Sequence, residues 1–428
     1  MEYGARYAAR TPLDPTYPQK VGKYLDAVLP VYGLHFADWW RDRLVPEMQR
    51  NFAYLEERLD HQADLSLMEL ATVWEDAIDI HDRHWKIHWM LNFAQLSATL
   101  NLRAAMEKVH GKIDEALLGR LQNSASDRNW DSIEALWKMK QEVKADSELA
   151  PAFGAAKVDE IIANLRATDR GQRFIAERVE PYQREYGWHA VWSHEFIFPS
   201  VREQMEPVIE LVRGYLDQDY DFPTTIAAAK ADIDAAADEI MAGLEGDARD
   251  AMRKALDNNL RMAPLTPDRH FYIDQGANAH MRLVLIAIGQ RLVEMGMLDR
   301  SDDVIFLRYN ELRVLMAEPD ATSGRELVAR RRAERERAYK FKPRDWIGTC
   351  TPTQLAFPYW INWGFPDEFR RSQGAAATAG RVEGIAGSPG MVEGIARVVL
   401  AEDEFDKVQP GSAAMQRFSR RCPSMAAN

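Results

Sequence analysis

The sequence predicts a mainly α protein: a large helical domain over residues 1–345, an irregular crossing and hinge over 346–381, and an incomplete β/α domain that begins at 382. Three observations lead there. From Leu25 to about Leu315, apolar residues recur mostly at three- and four-residue spacing, the period of helices with one buried face. Gly and Pro cluster between those segments, where chain reversals are expected. Near the end, Gly384, Gly387, Gly390 and Gly394 with Pro389 set tight turns ahead of Ile395-Ala-Arg-Val-Val-Leu400, which reads as a buried strand.

The longest helix is expected from Ser66 to about His110, with Trp74, Ile78, His81, Trp85 and His88 on one face, followed by Leu91, Leu96 and Leu100. Further helices are predicted over 131–143, 157–167, 171–186, 202–216, 225–244, 247–262 and 272–295, with short loops at Pro151, Pro199, Phe222-Pro223 and Pro264 to Pro267. Asp302 to Leu307 reads as a short extended segment, and a helix follows from near Tyr309. The charge-dense run Arg325 to Arg337 reads as a solvated helix face with Glu/Arg pairing. Residues 346–369, rich in Pro, Gly and aromatics, suggest an ordered irregular crossing, and the small residues 372–380 suggest a hinge. The polar, basic run Gln416 to Ser424 shows no alternation, so 412–428 is expected to be an atypical tail, as a shifted reading frame or early stop near Gly411 would produce.

Composition narrows the partners. With 428 residues, 46% hydrophobic and 28% charged, the chain can build a sizeable core. Its formal net charge of −12 argues against nonspecific binding to nucleic acid or anionic membrane, so small molecules or proteins are the expected partners. Two cysteines, Cys350 and Cys422, make neither a disulfide framework nor a zinc site, and a reducing cytoplasm is the expected setting. No apolar run approaches the roughly 20 residues that span a bilayer, and Met1-Glu-Tyr-Gly4 lacks the order of a signal peptide.

Several segments share an order and spacing that short motifs rarely reach by chance: Phe271-Tyr-Ile273, Met281 to Leu292, Gly296, Asp302 to Leu307 with Glu311-Leu312, Gly384 to Val399, and Phe405-Asp-Lys-Val-Gln-Pro-Gly411. Together they resemble the phosphoenolpyruvate-utilising enzymes, in particular the rifampin phosphotransferases and the phosphotransferases acting on phenols and hydroxyaryl ketones. The resemblance covers most of the chain. It implies a three-part machine: an ATP-grasp domain, a helical acceptor-binding domain, and a swivelling phosphohistidine domain. In those terms 1–345 is the acceptor-binding domain, starting late, and 382–411 is the start of the swivelling domain. ATP and Mg²⁺ are then expected on an ATP-grasp partner domain or subunit, with no cofactor held by this chain. No histidine follows His280, so the family's phosphate-carrying histidine is absent here. The implied function is the acceptor-binding part of an ATP-dependent phosphotransferase that passes phosphate through a phosphohistidine to a small hydroxylated aromatic compound. The alternative is a catalytically inert helical ligand-binding or regulatory subunit, or a truncated gene product.

Phosphoryl transfer asks an acceptor site for positioning, a proton acceptor and positive groups, so histidine and arginine beside aromatic walls are the residues to seek. One cluster is Thr266-Pro-Asp-Arg-His-Phe-Tyr272. Rifampin enzymes carry an Arg-Glu pair and a basic residue in the matching segment; here those positions are Thr266, Pro267 and His270, which argues against a rifampin-like acceptor. His270 is the candidate acceptor base, with Asp268 or Arg269 orienting it and Tyr272 contributing to binding. The competing reading makes Asp268 the N-cap of a helix with His270 in its first turn. A second cluster, Tyr186 to Glu195, offers His189, Trp192 and Glu195 as substrate contacts. A third is the stripe His81, His84, Trp85 and His88. Its His84/His88 pair encloses Trp85-Lys-Ile87 and lacks the Glu-x-x-His or His-Glu-x-x-His of helical metal sites, so no metal is assigned. His81, Trp85 and Trp89 are instead candidates for a pocket wall.

Overall fold

A computed structural model describes residues 33–318, 323–341, 394–399 and 412–416, together with isolated positions before residue 33. The expectations for 346–381, for most of the glycine-rich stretch, for both cysteines and for 417–428 lie outside the described residues. The chain divides into two units, Met1–Ser372 and Gln373–Asn428.

In the first unit, a helix over 33–39 runs through a π-helical turn, Trp40–Leu44, into α1 (Val45–Asp60). The next helix, α2 (Leu67–His110), begins at a capping box: Glu69 N–H donates to the Ser66 hydroxyl while the Glu69 carboxylate accepts from Ser66 N–H. It ends at Gly111, whose φ of 73° suits a residue without Cβ. There follow α3 (Glu115–Leu121), α4 (Arg128–Ala145), α5 (Val158–Arg166) and α6 (169–186, with a π-helical turn at Ile175–Val179). After an irregular loop come α7 (Glu206–Leu216), α8 (Phe222–Met241), α9 (Gly246–Met262), α10 (265–294), α11 (Tyr309–Ala317) and α12 (Gly324–Tyr339).

Four apolar clusters hold these helices. Phe36, Trp40, Phe52, Trp188, Phe271 and Tyr272 make an aromatic cluster around the middle of α2, at Ile87, Leu91 and Ala94. A second joins Leu70, Val73 and Trp74 to Val284, Ile288 and Leu292 of α10. A third packs α4 to α7, and a fourth sets Leu102 and Met106 against α3, α8 and α9. Among the described residues, no helix is long and apolar enough to cross a membrane.

Three expectations need correction. Ser301–Phe306 is a 3₁₀ helix: the Asp303 carboxylate accepts from the Arg300 N–H at its start, and the segment lies against α10. The helix expected from Tyr272 starts at Leu265, since Pro267 falls in its first turn, where its missing N–H costs nothing. In the second unit, Ser412–Gln416 is a strand (β2) that pairs in parallel with β1 (Ile395–Val399), Ile395 opposite Ser412 and Val399 opposite Gln416. The expected tail therefore begins inside an ordered element. The run Ser-Ala-Ala-Met-Gln has no alternation to announce it.

Candidate active site

α10 begins with one α turn and then widens into a π-helical segment, His270–Ala277, a distortion often found at functional sites. The segment leaves His270 half in solvent while burying Asp274 one turn on. His270 Nδ1 lies 2.5 Å from Asp274 Oδ2. Arg269 Nη2 donates to His270 Nε2 at 2.8 Å, and its Nη1 donates to Asn92 Oδ1 at 2.5 Å. These contacts fit a neutral imidazole with its proton on Nδ1. Across the helix pair, His88 Nδ1 lies 3.2 Å from Asp274 Oδ1, without the alignment of a hydrogen bond. Burial alone pushes the Asp274 carboxyl up, but the contacts from His270 and His88 and the Arg269 charge outweigh it and hold the carboxyl well below its usual range. The result is a buried, ionised carboxylate holding a half-exposed histidine, which is suited to taking a proton at Nε2 once Arg269 yields that nitrogen.

Beside this relay, a cleft of about 570 Å³ opens between α2, the start of α4, the end of α9 and the start of α10. Asn92 belongs to both: it lines the cleft and accepts from Arg269. Gln95 spans the cleft's inner wall, its amide donating to Met262 O at 3.3 Å and to the Thr266 hydroxyl. Asp127, also in the lining, is the N-cap of α4, accepting from the N–H groups of Asn129 and Trp130.

Other candidate residues are dispersed. Asp268 neither caps its own helix nor orients His270: its Oδ1 accepts from Arg128 N–H at 2.9 Å, across to the first turn of α4. Burial, with help from the charges of Asp127 and Asp131, pushes its pKa up to about 6. The orienting carboxylate is Asp274, at i+4 from His270. Tyr272 is buried, and Gln49 donates to its hydroxyl at 3.4 Å. His81 Nε2 lies 3.1 Å from Asn278 Oδ1 and 3.0 Å from the indole N–H of Trp85, and burial lowers its pKa. The Trp85 ring stands between those of His88, at 4.6 Å, and His194, at 5.7 Å, while Trp89 is exposed at 40%. The described lining of the 570 Å³ cleft includes none of His81, Trp85 and Trp89.

The Tyr186 to Glu195 cluster splits. Trp188 enters the core against the His280 ring at 4.3 Å; His189 is mostly enclosed, with its pKa lowered by burial; Trp192 is 54% exposed, and Glu195 faces solvent. His84 is sealed between Phe52 and Asn51, and burial, reinforced by His280, lowers its pKa to about 3. Reasoning from sequence misses Asp274 and Asn92. The i+4 spacing from His270 is a signal for the first; nothing local marks the second, which meets Arg269 across 177 positions of sequence.

Comparison with known proteins gives this geometry a setting. Residues 88–266 match the family described as the rifampicin phosphotransferase fourth domain, a span that holds His88, Asn92 and the cleft walls as far as Thr266. The chain is 25% identical over 272 residues to the uncharacterized phosphotransferase YvkC of Bacillus subtilis (strain 168), covering 63% of this chain and 32% of that protein. It is 24% identical over 344 residues to the chondramide synthase cmdD of Chondromyces crocatus, covering 76% of this chain and 8% of that protein.

Proposed function

Taking the chain as a member of the phosphoenolpyruvate-utilising, rifampin phosphotransferase-like family, we propose that its helical unit is the acceptor-binding part of an ATP-dependent phosphotransferase acting on a small hydroxylated aromatic compound in the cytoplasm. The observation that supports this reading most is the half-exposed His270 held by buried Asp274 and joined through Arg269 and Asn92 to a ligand-sized cleft. ATP and Mg²⁺ belong to an ATP-grasp domain or subunit, and phosphate arrives on a phosphohistidine that this chain, with no histidine after His280, does not itself supply. The acceptor oxygen forms its bond to phosphorus as the P–N bond of the phosphohistidine breaks, and the hydroxyl proton passes to His270 Nε2. Asp274 stabilises the imidazolium that results. Arg269 is a positioning residue: when it leaves Nε2 it keeps Asn92 as acceptor and Asp274 as counter-charge.

One observation favours the second reading, an inert ligand-binding module: the Nε2 that a base must offer is already occupied by Arg269. The two readings separate on transfer. With radiolabelled ATP, Mg²⁺ and partner chains that supply both the ATP-grasp domain and the phosphohistidine domain, His270→Ala is expected to lower phosphate transfer to 4-hydroxyacetophenone at least 100-fold while leaving its binding within threefold. Unchanged transfer in His270→Ala would refute the base assignment, and no saturable binding of phenols or hydroxyaryl ketones would refute the acceptor assignment.

A further inference from the structure

The 570 Å³ cleft has an unusual lining. Six carboxamides face it, among them Asn92, Gln95, Gln122 and Asn123, with three hydroxyls, and Trp130 supplies a broad aromatic surface. Its described lining includes no Lys, Arg or His, and its one ionisable group, Asp127, is committed to capping α4. Carboxamides both donate and accept hydrogen bonds without net charge, which suits neutral hydroxyl and amide groups; an anion entering here would be desolvated with no cation to compensate. The volume lies within the range of sites that enclose a drug-sized molecule.

We propose that this cleft binds a neutral, hydroxyl-rich ligand carrying a flat ring, of the chemical class of an aryl glycoside, and rejects anionic analogues of the same shape. The ring lies on Trp130, and the sugar-like hydroxyls exchange hydrogen bonds with the rim amides Gln122 and Asn123 and the inner amides Asn92 and Gln95. Naming this ligand as the acceptor's scaffold rests on the phosphotransferase reading above; the binding assignment rests on the cleft alone. Because Asn92 also anchors Arg269, a ligand hydroxyl near Asn92 approaches the His270 relay.

The test is calorimetric titration of the full chain at pH 7.5 with 4-nitrophenyl β-D-glucoside and, as its anionic counterpart, 4-nitrophenyl β-D-glucuronide. Saturable binding of the glucoside is expected, with the glucuronide at least tenfold weaker. The double variant Gln122→Leu/Asn123→Leu, at two exposed rim positions that leave the core intact, should weaken glucoside binding at least tenfold, whereas Leu211→Ala on α7, exposed and outside the cleft, should stay within twofold. The inference fails if the glucoside does not saturate, if the glucuronide binds as tightly, or if the rim variant binds like the wild type. If simple phenols bind and are phosphorylated while the glucoside does not bind, the cleft assignment falls and the phosphotransferase reading stands. If the glucoside binds and no acceptor receives phosphate, the cleft assignment stands and the phosphotransferase reading falls.

Discussion

Replacing Asp274 by Asn tests the relay at its buried end. The change keeps the shape and removes one negative charge from a position where Arg269, itself buried, lies 3.7 Å away and His270 2.5 Å away. Removing one partner from a buried ion pair typically costs about 3–5 kcal/mol. Here the guanidinium keeps Asn92, and the new amide oxygen can still accept from His270 Nδ1, so we expect a loss of about 2–4 kcal/mol at pH 7. The pH dependence supplies a signature that a packing defect lacks. Because the folded carboxyl titrates below its unfolded value of about 3.9, its contribution is fully present above that value and is lost as pH falls through the lower folded one. The stability gap between wild type and Asp274→Asn should therefore be flat from about pH 5 to 8 and shrink below about pH 4. Urea unfolding followed by tryptophan fluorescence across that range measures it. A gap under about 0.5 kcal/mol at pH 7, or one that widens on acidification, would refute the reasoning.

Asp268→Asn should behave in the opposite sense: a carboxyl raised to about 6 is disfavoured in its charged form by the fold, so the variant should match wild type near pH 4 and be more stable by about 1–2 kcal/mol at pH 8, read from the same unfolding curves. Gly289→Ala would drive a Cβ into the Ser301 carbonyl, where α10 meets the 3₁₀ segment, and should cost about 3 kcal/mol or more by thermal melting. Gly111→Ala meets no atom within 4 Å and should cost only the roughly 1 kcal/mol of its left-handed backbone. Ser66→Ala removes half of the capping box of α2 and should cost about 1 kcal/mol in the same assay.

Much of the helical unit is legible in the sequence because its signals are local. The Ser66 cap, the apolar spacing to His110 and the prolines near the ends of several segments place α2 and most later helices to within a few residues. What fails depends on distant partners. Asp302-Asp-Val-Ile-Phe-Leu307 has strand-like residues, yet α10 is its neighbour and a 3₁₀ turn results. Spacing alone puts the main face of α2 on Trp74, Ile78, His81, Trp85 and His88, followed by Leu91; Trp74 and Leu91 are buried, but between them the buried line runs through Ala77, His84 and Ile87, because α1 and α10 close over that side. At the candidate site, residue type is enough to single out His270. The π-helical segment that sets Asp274 beneath it has no local signature, and sequence adjacency, the only ground for Asp268 as orienting group, says nothing of which carboxylate shares a side of the helix with the imidazole.

One consequence of α2 concerns how this protein is made. Its 44 residues form a rod of about 66 Å, and the stripe along it is covered by α1 from one side in sequence and by α9 and α10 from the other. The last residue of α10 is Glu294, so a ribosome adding roughly 5–20 residues per second completes α2 about 10–40 seconds before that cover exists. During that interval Trp74, Ile87, Leu91 and Leu102 lack the α9 and α10 partners that later complete their burial. The nascent chain thus presents a half-covered apolar seam to the cell before its core is closed, and holding that seam apart from other chains falls to the folding machinery that meets it at the exit tunnel.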